Sequence, residues 1–377
     1  MDRQARVDLA IVTANVRLLC DHVRGSQVMA VVKQDAYGHG AVHCARAAIE
    51  GGATWLGVAH LPEALRLREA GLTAPVLCLT AVPGEDHEAA IGAGVDLTAG
   101  SAGQVADVIT AAARAVGKPA RVQLKADTGL TRGGARPEQW QPLIEAALAA
   151  QDRGLVQVTG LWSHFACSDA PGHPSVGTQL DAFGEALAIA DKAGVTPEVA
   201  HIANTAAALN VPESRLDLVR IGGGMYGLST LPGGAPSWLR PAMSLRARLA
   251  MVKRVPAGTG VSYGLRYVTG RETTLGLVPL GYADGIRRSA GGRSLVGYNG
   301  RRFPIAGTVC MDQFVVDFGD EPVAVGDEVV LFGPGGPSAQ DWGEALGTIS
   351  YEITVGLGAQ VPRTFSSHNS AGAWSRS

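Results

Sequence analysis

Polar side chains at the ends of apolar runs are the residues of this sequence best placed to do chemistry. Seven of them occupy such positions: Lys33, Tyr37, Lys125, Arg132, His164, His201 and Arg220. A lysine after the run AVV, taken alone, more often simply extends its amine to solvent, although buried lysines are rare and often reactive. A lone histidine is more often structural than catalytic. Seven such residues at equivalent positions predict one shared site.

The class of cofactor follows from the motifs that the sequence lacks and from the one it has. No GxGxxG follows a first strand, no Walker loop is present, and no histidine and carboxylate spacing suits zinc or iron, so no metal is predicted. Gly222, Gly223 and Gly224 instead follow the last β-rich run, where a barrel offers backbone N–H groups to a phosphate. With a strand-end lysine, this favours a phosphorylated aldehyde held as a Schiff base, although triple glycine also occurs in plain turns.

The elements that position these residues alternate between β-rich and helical segments from residue 26 to about 225. The predicted strands are 27–33, 54–59, 75–80, 95–98, 121–126, 155–163, 198–202 and 216–221, and the helices between them include 41–50, 62–70, 101–116, 137–150 and 176–193. Pro62 and Pro137 stand where first-turn prolines are common. This α/β pattern predicts a (β/α)8 barrel of the TIM type, with a doubly wound sheet as the alternative.

The character of the sequence changes at 229–241, STLPGGAPSWLRP, where glycine and proline indicate a linker. Beyond it the helical period nearly disappears, and β-rich runs at 244–255, 273–281, 303–307, 313–318 and 323–332 predict a mainly β domain with one short helix, 338–346, capped by Ser338. The predicted domains are a barrel over 1–235 and a C-terminal β domain over 236–366. Residues 367–377 have too little apolar content to order and are predicted to form a disordered tail.

Composition and charge argue against several other classes of protein. The 377 residues, 46% of them hydrophobic, can bury a large core. A formal charge of −2 with mixed signs offers no surface for nucleic acid or an anionic membrane, so small-molecule partners are expected. The five cysteines are scattered and lack CxxC spacing, which favours a reducing cytoplasm over a disulfide framework. No apolar run approaches the roughly 20 residues of a membrane span.

Nine segments in order along nearly the whole chain carry a resemblance to one family. They are VVKQDAYGHG at 31–40, KADTGLTRGG at 125–134, LWSHFACSD at 161–169, HIANTAA at 201–207, VRIGGGMYG at 219–227, GVSYG at 260–264, PLGYADGIRR at 279–288, GTVCMDQF at 307–314, and SYEI with VPR within 350–363. Together they resemble the alanine racemases, pyridoxal-phosphate (PLP) enzymes of fold type III. The segments DTGL and LWSHFAC are closest in style to actinobacterial members, and Gln34 departs from the usual alanine.

The resemblance implies how the barrel would hold its cofactor. Lys33 would form an aldimine with PLP, Arg220 would face the pyridine nitrogen, and His164 would lie behind that arginine. The residues that would bind the phosphate are Tyr37, Tyr351, Thr205, Gly222 and Gly223. Thr205 stands where the family more often has serine.

The resemblance also implies a homodimer whose active sites are shared between subunits. The partner subunit's Tyr263 would be the second base, with Met311 giving a backbone N–H to the substrate carboxylate and Tyr282 forming part of the entrance. Within the barrel, Arg132 would contact the cofactor phenolate and the substrate carboxylate. Lys125 resembles a position that is often carbamylated, which would let it orient Arg132. At Thr308 and Gln360 the family frequently has arginine, so entry preferences are not carried over.

Racemisation requires two acid/base groups on opposite faces of Cα, which fits Lys33 and the partner subunit's Tyr263. The implied reaction interconverts L-alanine and D-alanine and supplies D-alanine for cell-wall peptidoglycan. A racemase of serine or of broad specificity stays open, because pocket size is not readable from the sequence. A PLP decarboxylase of the same architecture is disfavoured because it needs a carboxylate where Arg220 stands. A PLP carrier made of the barrel alone is disfavoured by the second domain.

Overall fold

The computed structural model describes residues 2–80, 82–115 and 118–367. The strands are β1 (Arg3–Asp8), β2 (Gln27–Val31), β3 (Trp55–Val58), β4 (Val76–Cys78), β5 (Asp96–Ala99), β6 (Ala120–Lys125), β7 (Val156–Trp162), β8 (Val199–His201), β9 (Leu218–Ile221), β10 (Met243–Arg248), β11 (Met251–Val255), β12 (Gly260–Val261), β13 (Tyr267–Val268), β14 (Thr273–Val278), β15 (Leu295–Tyr298), β16 (Arg301–Ala306), β17 (Phe314–Gly319), β18 (Glu328–Phe332) and β19 (Arg363–Ser366). The helices are α1 (Leu9–His22), α2 (Lys33–Tyr37), α3 (Ala41–Glu50), α4 (Leu61–Glu69), α5 (His87–Gly92), α6 (Ala102–Ala112), α7 (Pro137–Asp152), α8 (Ser175–Lys192), α9 (Thr205–Asn210), α10 (Ala339–Leu346) and α11 (Ser350–Val355).

Eight parallel strands form a barrel in the order β8-β7-β6-β5-β4-β3-β2-β9. The helices that follow the strands cover its outside with small apolar residues, and α3 shows why they can do so. Its buried positions Ala41, Cys44, Ala45 and Ala48 recur at the three- and four-residue spacing of one helix face, so the helix can approach the strands closely. The prediction of a barrel is confirmed, and the doubly wound alternative is wrong.

The barrel closes between β8 and β9 through contacts other than a regular strand pairing. The backbone N–H of Arg220 donates to the carbonyl oxygen of Ala203 at 3.0 Å. The backbone N–H of Ala200 donates to the Asp217 carboxylate at 2.8 Å. Because the carboxyl ends of all eight parallel strands face the same way, polar residues at those ends meet at one mouth.

The second half of the chain forms a nine-stranded sheet in the order β11-β14-β17-β16-β15-β18-β10-β1-β19. Its most surprising member is β1, which pairs antiparallel with β10 and parallel with β19, so that Ala5 lies opposite both Leu245 and Arg363. Buried side chains such as Phe314 and Leu331 form its core. The first strand of the chain therefore lies in the sheet built mainly from the last part of the chain.

The predicted strands and helices of the first half are found with ends that differ by a few residues, and the mainly β second half is confirmed. The side chain of Ser338 accepts the N–H of Asp341 at 2.9 Å and caps α10, as predicted. The sequence analysis missed β1 and α1. The domain boundary at residue 235 stays a prediction, and the predicted tail lies, apart from residue 367, outside the described residues. Of the helices described, none combines the length and the apolar content that crossing a bilayer needs.

Candidate active site

A cavity of about 660 Å³ opens at the carboxyl ends of the barrel strands. The predicted site residues that line it are Lys33, Tyr37, Lys125, Arg132, His164, Thr205, Arg220, Gly222, Gly223 and Tyr351. Tyr351 comes from α11, far along the chain, and the other nine come from the barrel. Among the described residues that line the cavity, none is an aspartate or a glutamate, so the site is lined by cations and neutral groups.

Lys33 begins an unusual segment of backbone. The four residues after it, Gln34 to Tyr37, all have φ between 50° and 56°, so the chain makes a left-handed turn without glycine. Each such residue costs roughly 1–2 kcal/mol unless its surroundings stabilise it. Glu63 accepts the N–H of Gln34 at 2.6 Å, and Asp35 accepts the N–H of Ala41 at 2.8 Å. These contacts hold Lys33 and Tyr37 on the same side of the turn, toward the cavity.

The environment of Lys33 favours its neutral amine. Burial lowers the pKa of Lys33, and the positive charge of Arg132 lowers it further, while the Glu63 carboxylate opposes them by raising it. A neutral amine is the form that attacks an aldehyde or accepts a proton. Lys33 therefore has the electrostatic setting of a reactive lysine.

Two tyrosines and two glycines form a cradle suited to a phosphate group. The rings of Tyr37 and Tyr351 meet edge to face, with centroids 5.3 Å apart. A side chain at Gly222 would collide with the Tyr37 hydroxyl, and one at Gly223 would collide with the Tyr351 hydroxyl. Burial raises the pKa of Tyr37 and raises that of Tyr351 to about 12, so both hydroxyls stay protonated as hydrogen-bond donors. The Thr205 hydroxyl accepts the N–H of Gly222 at 3.0 Å and completes the cradle.

Arg220 is a buried cation in the cavity wall. Its Nη2 donates to Nδ1 of His164 at 2.9 Å and to the carbonyl oxygens of Ser163 and Ile202, both at 2.8 Å, while Nη1 donates to Nδ1 of His201 at 2.7 Å. Burial, and then the charge of Arg220, holds the pKa of both histidines well below 6.5, so both rings are neutral acceptors. Burial lowers the pKa of Arg220 to about 9, which still leaves it protonated at neutral pH. Among the described residues, no carboxylate pairs with it.

Lys125 lies at the end of β6 with its ammonium nitrogen 4.4 Å from the centre of the Trp162 ring. Burial lowers its pKa to about 8, and the charges of Arg132 and Arg220 contribute in the same direction. A lysine with such a pKa is partly neutral near physiological pH, and only a neutral amine can react with carbon dioxide. The predicted modification of Lys125 is therefore chemically accessible.

Five predicted residues, counting Gly224 of the triple glycine, do not line this cavity. His201 lies beneath it, fully buried against Arg220. Tyr263, Met311 and Tyr282 lie on the β region, with exposed fractions of 72%, 54% and 43%. The segment 308–311 connects them, since the Thr308 hydroxyl donates to the carbonyl of Tyr263 and the carbonyl of residue 310 accepts the N–H of Tyr282, both at 3.0 Å. These three residues form one exposed surface of the chain.

The sequence analysis missed two residues that shape the site. Trp162 stacks on the His201 ring, with the planes 7° apart, and its own ring faces the ammonium nitrogen of Lys125. Glu63 caps the start of α4 and at the same time holds the turn after Lys33. The glutamate near the start of the predicted helix at 62–70 was a readable capping signal, but its reach across to Gln34 was not.

Comparison with known proteins shows the family. The model of the alanine racemase N-terminal domain matches residues 7–230, and that of the alanine racemase C-terminal domain matches residues 242–365. An alanine racemase of Frankia casuarinae is 57% identical over 96% of this chain and 95% of its own length, and one of Thermobifida fusca is 54% identical over 96% and 97%. The predicted resemblance to actinobacterial members is confirmed.

Solved structures agree with the sequence relatives. The alanine racemase of Streptomyces lavendulae, a producer of D-cycloserine, superposes with a TM-score of 0.95 at 52% identity, covering 99% of each chain. The Bacillus anthracis alanine racemase with bound L-Ala-P superposes with a TM-score of 0.88 at 35% identity, covering 97% of this chain and 95% of that one. The fold is thus that of a barrel with a mainly β C-terminal region. The chain belongs to the alanine racemase family.

Replacing Glu63 with glutamine should loosen the turn that carries Lys33. The carboxylate accepts three backbone N–H groups, those of Gln34, Ala59 and His60. Glutamine has a single accepting oxygen, so at least one N–H loses its partner, at a cost of about 1 kcal/mol. Loss of the negative charge should also lower the pKa of Lys33.

The measurements are thermal unfolding and the pH dependence of acylation of Lys33, followed by peptide mass spectrometry. Glu63→Gln should lower the melting temperature and make Lys33 reactive at lower pH. Glu69→Gln, an exposed change in the same helix, is the matched control and should alter neither. Equal behaviour of the two variants would contradict the role of Glu63.

Lys125 should take up carbon dioxide in a pH-dependent way. Because its pKa is about 8, the neutral amine that forms a carbamate predominates above that pH and is lost as the pH falls below it. Carbon-13 NMR with labelled bicarbonate should show a carbamate signal that grows as the pH rises. One carbamate resonance of the wild type should be absent from Lys125→Met and present in Lys192→Met, which removes an exposed lysine. A carbamate spectrum that is unchanged in Lys125→Met would place the modification elsewhere.

Proposed function

We propose that this protein interconverts L-alanine and D-alanine, with pyridoxal phosphate held in the barrel cavity. One observation carries the proposal. Lys33, with its pKa lowered by burial, shares a single cavity with the phosphate-type cradle of Tyr37 and Tyr351 and with the buried, carboxylate-free Arg220. The names of the relatives support the same activity.

The residues of the cavity fit this cofactor. When bound, pyridoxal phosphate supplies an aldehyde that condenses with amines and a ring that accepts the electron pair released at Cα. Gly222 and Gly223 leave room that any larger side chain would fill, and Tyr37, Tyr351 and Thr205 surround that room with hydroxyl groups. The cationic lining complements a dianionic phosphate. Lys33 would hold the aldehyde carbon through its amine.

Arg220 would set the protonation state at the ring nitrogen. A guanidinium has donors only and does not release its proton at neutral pH, so it would donate a hydrogen bond without giving up the proton. By leaving that nitrogen unprotonated, Arg220 would weaken the electron-accepting chemistry that the cofactor supplies, and so would favour return of a proton to Cα over transamination or decarboxylation. The cavity lining, which lacks acidic residues among those described, gives no carboxylate to hold the ring protonated. This composition disfavours the decarboxylase alternative.

Proton transfer at Cα would use two residues from different subunits. Lys33 would act on one face of the substrate, and the partner subunit's Tyr263 on the other. Within one chain Tyr263 is exposed and does not line the cavity, which supports a site completed by a second copy. The symmetric arrangement is a twofold dimer in which each barrel mouth meets the partner's β region.

Substrate contacts would come from both subunits. Arg132 lines the cavity and would bind the substrate carboxylate, with Lys125 beside it as a carbamate or a neutral amine. The partner's Met311 would add a backbone N–H, and the partner's Tyr282 would form part of the entrance. By the same family reasoning, the enzyme would act in the cytoplasm and supply D-alanine for peptidoglycan.

Incubation of the purified enzyme with a panel of L-amino acids, followed by chiral chromatography, tests the reaction and its specificity. L-alanine should reach an equal mixture of enantiomers, because the two are isoenergetic. L-serine and larger amino acids should convert more slowly. Lys33→Ala is the control and should abolish conversion. Faster conversion of L-serine would favour the serine or broad-specificity racemase, and decarboxylated product would overturn racemisation.

The shared site is tested by mixing two inactive variants, Lys33→Ala and Tyr263→Phe. If the sites are shared, one site of a mixed dimer carries both lesions and the other carries none, so about half of the activity per mixed dimer should return. If each site were built from one chain, every site would carry one lesion and activity would stay absent. Differently tagged subunits allow the mixed dimer to be purified and its composition confirmed before the assay.

A further inference from the structure

A line of buried polar side chains crosses the inside of the barrel beneath the active site. It runs from Arg220 to His201, then to Gln123 in the middle of β6, and ends at Asp96, the first residue of β5. The successive hydrogen bonds measure 2.7, 2.8 and 3.1 Å. Gln123, His201 and Asp96 are fully buried. Because the strands are parallel, the line joins the cavity wall to the opposite end of the barrel.

The donors and acceptors of this line allow one direction only. Arg220 can only donate, so Nδ1 of His201 must carry a lone pair and the proton must reside on Nε2. That N–H donates to the amide oxygen of Gln123, and the amide nitrogen then donates to the Asp96 carboxylate. Turning the amide over would bring a donor to face the His201 N–H. The guanidinium at one end and the carboxylate at the other therefore fix the tautomer of His201.

The neighbouring strand β7 is shaped to fit Gln123. The pairing of β6 with β7 shifts register between Val122 and Gln123, so that Val122 pairs with Val158 and Gln123 pairs with Gly160. The extra residue, Thr159, donates its hydroxyl to Asp96 at 2.7 Å. Bulges of this kind re-aim side chains next to active sites.

Gly160 supplies the space that the amide occupies. A side chain there would come within 2.6 Å of the Gln123 side chain. Asp96 has its own partner at the far end, since Nε of Arg121 donates to it at 2.7 Å, and Arg121 also pairs with Glu198 at 2.8 Å. If Asp96 served only the salt bridge with Arg121, neither the Gln123 amide nor the space left by Gly160 would be needed. The amide is thus placed to connect Asp96 with His201.

We propose that Asp96 and Gln123 are positioning residues of the racemase, which act on the reaction through His201 and Arg220. The proposal rests on the proposed function. Gln123 holds the His201 ring so that a lone pair always faces Arg220, and Asp96 holds the amide in the required direction. The Asp96 carboxylate, three hydrogen bonds from the guanidinium, orders the line without placing an acidic group in the cavity wall.

The test compares Gln123→Met, Gln123→Glu and Thr159→Val in the intact enzyme. Methionine has nearly the same volume as glutamine but no amide, so it interrupts the line. Glutamate in its protonated form, which burial beside Asp96 favours, restores both hydrogen bonds. Thr159→Val removes a hydrogen bond to Asp96 at the same depth and leaves the line intact, which makes it the matched control for a purely structural effect.

The first readout is proton and nitrogen NMR of the histidine side chains, with the signal of His201 assigned from its loss in His201→Gln. The wild type should show a neutral ring with a slowly exchanging, downfield Nε2–H proton. Gln123→Met should lose that signal, whereas Gln123→Glu and Thr159→Val should keep it. An unchanged signal in folded Gln123→Met overturns the line itself.

The second readout separates kcat from KM for alanine. Gln123→Met should lower kcat about tenfold, the effect of roughly one hydrogen bond, with KM nearly unchanged. Thr159→Val and Gln123→Glu should stay within about twofold of the wild type. If Gln123→Met does not fold, Gly160→Ala displaces the amide instead and should lower kcat in the same way.

Two failures can be told apart. If the wild-type enzyme does not racemise alanine, the proposed function is wrong and this proposal falls with it. If the wild type racemises alanine and Gln123→Met loses the Nε2–H signal but keeps its kcat, the proposed function stands and only the positioning role is overturned.

Discussion

Arg220 is a guanidinium buried inside the barrel with no carboxylate pairing with it among the described residues, and much of the structure follows from that constraint. Its donors need acceptors, which the carbonyl oxygens of Ser163 and Ile202 supply together with the lone pairs of His164 and His201. The same side chain therefore connects β9 to the residues that follow β7 and β8. Regular strand pairing is absent between β8 and β9, so this connection helps to close the barrel there. Arg220 also obliges both histidines to stay neutral.

The interior of the barrel contains an apolar part and a polar part. Part of it is filled by an apolar cluster that includes Met29, Trp55 and Leu77 of β2, β3 and β4 and extends to Val199 of β8 and Leu218 of β9. Around Gln123 and Asp96 the interior is polar and hydrogen-bonded. A buried polar network is tolerable only when its members are satisfied, and this one is satisfied by having a donor-only group at one end and a carboxylate at the other. The cavity above it remains free of acidic groups among the residues described.

The second half of the chain completes the site in two ways. Tyr351 enters the phosphate-type cradle directly, and Arg363 donates to the carbonyl of Gly38 at 3.2 Å, next to the left-handed turn after Lys33. β1 places the start of the chain in the same sheet, paired with β10 and β19. The exposed surface of Tyr263 supplies nothing to the cavity of its own chain. The fold therefore gives one chain the cradle and the lysine of the proposed site, whereas Tyr263 of the same chain lies outside its own cavity.

The sequence by itself determined the alternating elements of the barrel, the strand-end residues that meet at its mouth, and the family, because period and ordered motifs are local properties. Tertiary structure alone decided the rest. β1 is a strand because it pairs with β10, and the sequence did not reveal this because the paired residues are more than 200 positions apart, as Ala5 opposite Leu245 shows. Of residues 34–37 only Asp35 is of a type that readily adopts left-handed backbone, and the turn is held by Glu63 from the next unit. Gln123 and His201, 78 positions apart, meet because sheet order sets distances inside a barrel, and sequence spacing does not.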